Sequence, residues 1–123
     1  MENKILIVED DKFVSELYEH QFTKQGFVVR VAGDGEAALN ALGSENFNLV
    51  LLDIMIPKID GLEVLKRMKA NTATKEIPVV ILSNLGQEEL IKQALQTGAK
   101  AYIVKSLYTP TQVVAEVRSI LGV

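Results

Sequence analysis

Four short apolar runs each end in residues that can do chemistry. Ile5-Leu6-Ile7-Val8 is followed by Glu9-Asp10-Asp11, and Leu49-Val50-Leu51-Leu52 by Asp53. Val79-Val80-Ile81-Leu82 is followed by Ser83-Asn84, and Ala101-Tyr102-Ile103-Val104 by Lys105-Ser106. If the runs are neighbouring strands, carboxylates, a hydroxyl and an ammonium gather at one edge. Carboxylates a few ångströms apart repel, and one of them is pushed toward its protonated form unless something neutralises the cluster. A hard divalent cation such as magnesium does so with one or two carboxylates, water and phosphoryl oxygens. Ser83 and Lys105 supply donors for the remaining oxygens of a phosphoryl group. A carboxylate beside magnesium and a lysine is itself a nucleophile able to take that group.

The elements that must hold these residues are legible in the apolar pattern. Continuous β-branched runs suit strands buried on both faces, as in a parallel sheet covered by helices. Phe27-Val28-Val29-Arg30-Val31 is a fifth, weaker strand. Between the strands, helical stripes run through Val14, Leu17, Tyr18 and Phe22; Ala38, Leu39, Ala41 and Leu42; Leu62, Leu65 and Met68; and Ile91, Ala94 and Leu95. The clearest stripe is Val113, Val114, Val117, Ile120 and Leu121. Asp60-Gly61-Leu62-Glu63 and Thr109-Pro110-Thr111-Gln112 read as capping boxes, and Gly26 and Gly98 as stop signals. Five βα units in succession predict an α/β doubly wound sandwich with right-handed crossovers. In such sheets the ligand crevice lies outside the carboxyl ends of the strands, where the reactive residues fall.

Composition narrows the classes. The 123 residues are 48% hydrophobic and 24% charged, suited to one folded domain over residues 1–123. Thirteen Lys and Arg against sixteen Asp and Glu give a charge of −3, so no basic field for direct nucleic-acid binding is expected. With no cysteine, disulfides, thiolate metal sites and a Cys nucleophile are excluded. No apolar run is long enough to span a membrane. The N-terminus has no signal-like cleavage site, so the default expectation is a cytoplasmic protein.

In this order and at these strand ends, the motifs resemble the receiver domain of two-component response regulators. They are Ile5-Leu6-Ile7-Val8-Glu9-Asp10-Asp11, Leu52-Asp53-Ile54-Met55-Ile56-Pro57 with Asp60-Gly61, Ser83, and Tyr102 three residues before Lys105. The resemblance implies a flavodoxin-like (βα)5 fold with five parallel strands in the order 2-1-3-4-5. It implies Asp53 as phosphoacceptor, and Mg2+ held by Glu9, Asp10, Asp53 and the backbone carbonyl of Met55. It further implies Ser83 as switch hydroxyl, Lys105 as the ammonium paired with the phosphoryl group, and Tyr102 as an aromatic switch that turns inward on phosphorylation. The implied partners are a sensor histidine kinase or phosphotransfer protein and a downstream protein. The implied activity is a signalling switch that catalyses only its own phosphorylation and dephosphorylation.

Two positions depart from the family pattern. Ser106 stands where proline follows a cis bond, so Lys105-Ser106 is either trans or a cis bond costing about 2.5–4 kcal/mol. Asn84 stands where a small residue is usual, and would crowd the phosphoryl group or hydrogen-bond to it. Met55 and Leu85, two residues beyond Asp53 and Ser83, are apolar. In the family that this chain resembles, apolar groups at these positions hold water poorly near the acyl phosphate, which implies slow self-dephosphorylation; decay as fast as in chemotaxis-type members would contradict it.

Plainer readings stand beside these. Asp11 and Asp60 are N-caps. Tyr102 can be core and Lys105 a solvated strand-end lysine. His20 has no partner in sequence and reads as surface or interface. Gly33-Asp34-Gly35-Glu36-Ala37-Ala38 matches a dinucleotide-binding pattern, with Asp53 following the second glycine by 18 residues. Asp34 and Glu36, however, put negative charge where a pyrophosphate would land, and a helix capped by Asp34 explains the motif. Aspartyl-phosphate hydrolases place an acid–base Asp where this chain has Met55, so turnover of an outside substrate is not expected. A pseudo-receiver acting as a constitutive interaction module is the alternative function, disfavoured by the presence of every acceptor residue. The chain ends two residues after Leu121, so output is expected through a partner, through passing the phosphoryl group on, or through a domain outside this sequence.

Overall fold

The computed structural model describes residues 2–123. Five strands and five helices alternate: β1 (Lys4–Val8), α1 (Lys12–Lys24), β2 (Val28–Ala32), α2 (Gly35–Ser44), β3 (Leu49–Leu52), α3 (Gly61–Ala70), β4 (Val79–Ser83), α4 (Glu88–Thr97), β5 (Ala101–Val104) and α5 (Pro110–Leu121). A 3-10 turn, Lys105–Leu107, joins β5 to α5. The sheet is parallel throughout, in the order β2-β1-β3-β4-β5, the flavodoxin-like order that the resemblance implied.

The strand pleat sorts the core into two layers. Ile5, Ile7, Leu49, Leu51, Val80, Leu82 and Ile103 face α1 and α5, which contribute Tyr18, Phe22, Val113, Val114 and Val117. Leu6, Val8, Val50, Leu52, Val79 and Ile81 face α2, α3 and α4, with Leu42, Leu65, Met68 and Ala94 packed on them. Burial on both faces is why β1, β3 and β4 are continuous apolar runs. The edge strand β2 alternates between exposed and partly buried positions until Ala32. It begins at Val28 rather than at Phe27, whose N–H donates to the Phe22 carbonyl at the end of α1 at 3.1 Å.

Two helical stripes differ from expectation. Leu17 is 42% exposed and Leu95 45%, while Ser15 on α1 is buried and Ala94 carries α4. The short helices fit either of two adjacent apolar faces, and packing on the sheet selects one. The caps at Asp11, Asp34, Asp60 and Thr109 each accept a backbone N–H. Only Thr109 with Gln112 closes a full capping box. At Asp60 the box is half made: the Glu63 carboxylate that should reach back accepts instead from Arg67 Nε at 2.9 Å.

Candidate functional site

Register delivers the reactive residues to one edge. Val8 pairs with Leu52, so Glu9 and Asp53 emerge side by side, and Asp53 N–H donates to the Val8 carbonyl at 3.1 Å. Pleat parity then aims their side chains. Glu9, Asp53 and Lys105 each lie two residues beyond a member of the α1/α5 layer (Ile7, Leu51 and Ile103), so they share its face. Ser83 and Tyr102 belong to the opposite face, with Ile81 and the α2–α4 layer.

Glu9, Asp10 and Asp53 offer carboxylate oxygens within 4.8 Å of one another; Glu9 and Asp53 are buried and Asp10 is exposed. Lys105 Nζ donates to Asp53 Oδ2 at 2.9 Å and to Glu9 Oε1. The remaining oxygens are oriented by backbone: Asp53 Oδ1 accepts from Ile54 N–H at 2.7 Å, and Glu9 Oε2 from Asp11 N–H at 3.1 Å. The cluster sets three carboxylates against one ammonium. Burial pushes the Glu9 carboxyl above its usual range, and the hydrogen bonds from Lys105 and Asp11 only partly oppose it. For Lys105, burial is the largest single influence and works against the charge. Its hydrogen bonds to Glu9 and Asp53, together with the charges of both carboxylates, outweigh burial, and the ammonium is held above its usual range. The outcomes differ because burial prevails at Glu9, which has one ammonium to oppose it, whereas Lys105 is supported by two carboxylates. The surplus of hard, negatively charged oxygen suits a divalent cation such as magnesium.

Ser83 is 1% exposed, and its hydroxyl accepts from Leu85 N–H at 3.1 Å. The Tyr102 hydroxyl donates to the Leu85 carbonyl, so both side chains are tied to the same β4–α4 loop. The Tyr102 ring packs against the core, and burial raises its phenol. Tyr102 is thus partly buried, with its hydroxyl held by the Leu85 carbonyl. Met55 lies on the loop after β3 with a side chain 66% exposed. Asn84, Ser106 and His20 are exposed, and the Lys105-Ser106 bond is trans.

The sequence reading passed over Gly61 as a site residue. A Cβ there would lie 2.1 Å from the Asp53 carbonyl oxygen, so only glycine allows α3 to start against the backbone of Asp53. The Asp-Gly pair was a visible signal for a close turn; its target, 8 residues upstream, was not.

Residues 5–118 match the response regulator receiver domain family. The chain is 42% identical over 102 residues to the transcriptional activator protein PfeR of Pseudomonas aeruginosa, covering 83% of this chain and 32% of that one. It is 35% identical over 121 residues to the phosphate regulon transcriptional regulatory protein PhoB of Escherichia coli, covering 98% and 52%. The chain thus spans about half or less of these relatives' length. The receiver domain of the Francisella response regulator 1452 superposes with a TM-score of 0.90 at 28% identity, over 98% of this chain and 97% of that one. Among the described residues no helix is long and apolar enough to cross a membrane. Strand order, the acidic cluster at the strand ends and the match across nearly the whole chain agree: this protein belongs to the response regulator receiver domain family.

Proposed function

We propose that Asp53 accepts a phosphoryl group from a phosphohistidine of a sensor histidine kinase or phosphotransfer protein, and that the acyl phosphate switches binding of a downstream protein. The observation that carries this is the convergence of Glu9, Asp10 and Asp53 oxygens within 4.8 Å, with Lys105 Nζ 2.9 Å from Asp53 Oδ2. Glu9, Asp10, Asp53 and the Met55 backbone carbonyl would hold magnesium. When bound, it supplies positive charge beside the transferring oxygens. A carboxylate oxygen of Asp53 attacks phosphorus, the P–N bond breaks, and its electron pair leaves with the imidazole. The Ile54 N–H fixes one carboxylate oxygen and so the rotation of the group. Lys105 neutralises charge that builds on the phosphoryl oxygens.

The aspartyl phosphate carries about −1.5 to −2 charge, by analogy with other phosphorylated side chains, in place of the single charge of the carboxylate. Ser83 would exchange its bond from Leu85 N–H for one donated to a phosphoryl oxygen, drawing the β4–α4 loop with it. Tyr102, bonded to the Leu85 carbonyl, would follow that loop. Moving such a switch from 1:99 to 99:1 takes about 5.5 kcal/mol. Two or three charge-assisted hydrogen bonds at about 1.5–3 kcal/mol each supply it.

Treatment with phosphoramidate, then borohydride reduction of the acyl phosphate, converts an acceptor aspartate to homoserine. Peptide mapping should find homoserine at position 53 alone. Homoserine at Asp10 or Asp11, or none after phosphohistidine donors have also been tried, would contradict the assignment and favour a constitutive interaction module.

A further inference from the structure

The motif Gly33-Asp34-Gly35-Glu36 opens α2, where a nucleotide would need free backbone N–H groups. Two N–H groups at this helix start, those of Gly35 and Ala37, are already engaged. Asp34 Oδ1 accepts from Ala37 N–H at 2.7 Å, and Gly35 N–H donates to the Pro57 carbonyl at 3.1 Å. The helix start is occupied by the loop that leaves Asp53. The approach is closer than any side chain allows: a Cβ on Gly35 would lie 1.9 Å from the Ile59 carbonyl oxygen and 2.7 Å from Ile59 Cβ.

The loop is bent to fit. Lys58 has φ 69°, the one positive value at a non-glycine among the described residues. That is a left-handed conformation that a side chain disfavours. Pro57 carbonyl accepts from Ile59 N–H at 2.8 Å as well as from Gly35, which closes the turn around Lys58. The Lys58 ammonium lies 3.8 Å from Asp34 and 3.9 Å from Glu36. Its side chain is 58% exposed, and ion pairs of this kind contribute little. What the position provides is therefore its backbone, not its charge.

The far end of the same loop meets the acceptor. Gly61 N–H donates to the Ile54 carbonyl at 2.9 Å, and Ile56 N–H reaches that carbonyl at 3.1 Å. Ile54 in turn donates its own N–H to Asp53 Oδ1. Residues 53–61 are thus pinned at one end by Gly61 and in the middle by Gly35, and the hydrogen bond that orients the Asp53 carboxylate lies between Asp53 and those pins.

We infer that the start of α2 is a seat for the acceptor loop, and that Gly35 and the left-handed turn at Lys58 are positioning elements for Asp53. The inference rests on the reading of Asp53 as acceptor for its function, but its geometry is testable separately. Uniformly 15N-labelled protein is compared as wild type, Gly35→Ala, Lys58→Val, Lys58→Gly and Gly43→Ala. The last is a control on the same helix, where a Cβ meets nothing within 4 Å. The readouts are the Ile54 amide resonance and the initial rate of phosphoryl gain from acetyl phosphate.

Gly35→Ala and Lys58→Val should both move the Ile54 amide and slow phosphoryl gain by roughly tenfold to a hundredfold, the range a misplacement near 1 Å sets. Lys58→Gly, which keeps the turn and deletes the charge, should restore wild-type behaviour, and Gly43→Ala should retain it. If Gly35→Ala does not fold, the Lys58 pair decides. An Ile54 amide and a rate that ignore Lys58→Val overturn the seat, as does a Lys58→Gly variant as impaired as Lys58→Val. A wild-type protein that gains no phosphoryl group from acetyl phosphate or from a phosphohistidine donor, while its Ile54 amide still responds to Lys58→Val, overturns the acceptor reading and supports the seat.

Discussion

At the scale of single residues, Lys105 holds the cluster together. Its Nζ is the one cation hydrogen-bonded to both Glu9 and Asp53 among the described residues. Removing one member of a buried ion pair leaves the other uncompensated, typically at about 3–5 kcal/mol. Lys105→Met should therefore lower thermal stability, toward the lower end of that range because Asp10 stays exposed to water. Magnesium should raise the melting temperature of the variant more than that of the wild type, because a cation replaces the missing charge. Equal stabilisation of both would contradict the shared role. The reactive residues were readable because each follows an apolar run, where a parallel sheet puts its ligands. The ion pair itself was not readable. Lys105 and Glu9 are 96 positions apart, and only the strand order brings them together. Nor did the sequence show that the Leu85 carbonyl would accept from the Tyr102 hydroxyl, since a carbonyl leaves no mark on residue type.

At the scale of elements, the helix caps and the ties between strand ends carry separable energies. Thr109→Ala removes the side-chain half of the α5 capping box, the bond that Gln112 N–H donates to Thr109 Oγ1, and should cost about 1 kcal/mol in urea unfolding. A change below a few tenths would mean that Pro110 and the bond from Thr109 N–H to Gln112 suffice to set the helix start. Glu45, just past α2, joins β1 through Lys4 and β2 through Arg30. The hydrogen bond from Lys4, and then the one from Arg30, hold its carboxyl below the usual value of 4.5. A folded-state value below the unfolded one stabilises the fold above about 4.5, and the benefit is lost as pH falls through the lower, folded value. Glu45→Gln should thus melt below the wild type at pH 7 and alongside it in strong acid. A gap that persists in acid would assign the effect to packing. The three central strands, β1, β3 and β4, were legible because both faces are buried; α1 and α4 were less so, because Leu17 and Leu95 are apolar residues on the solvent side of short helices.

At the scale of the whole molecule, the pleat divides the site between two layers. Glu9, Asp53 and Lys105 stand over α1 and α5, while Ser83 and Tyr102 stand over the layer that includes α4. On the proposed function, a charge placed on Asp53 would reach the second layer through the β4–α4 loop, to which both Ser83 and Tyr102 are bonded. This is a local electrostatic event biasing one loop. Amide shifts on adding beryllofluoride with magnesium should accordingly concentrate in residues 83–105, with α2 and the body of α1 little changed. Changes spread evenly over all five helices would contradict a loop-borne switch.

The central claim is that Asp53 takes a phosphoryl group with magnesium at the Glu9–Asp10–Asp53 cluster. It is tested most directly by intact mass after incubation with acetyl phosphate, with and without magnesium, on wild type and Asp53→Asn. A gain of one phosphoryl group that requires both the metal and Asp53 is the predicted result. An equal gain in Asp53→Asn, or one indifferent to magnesium, would contradict it.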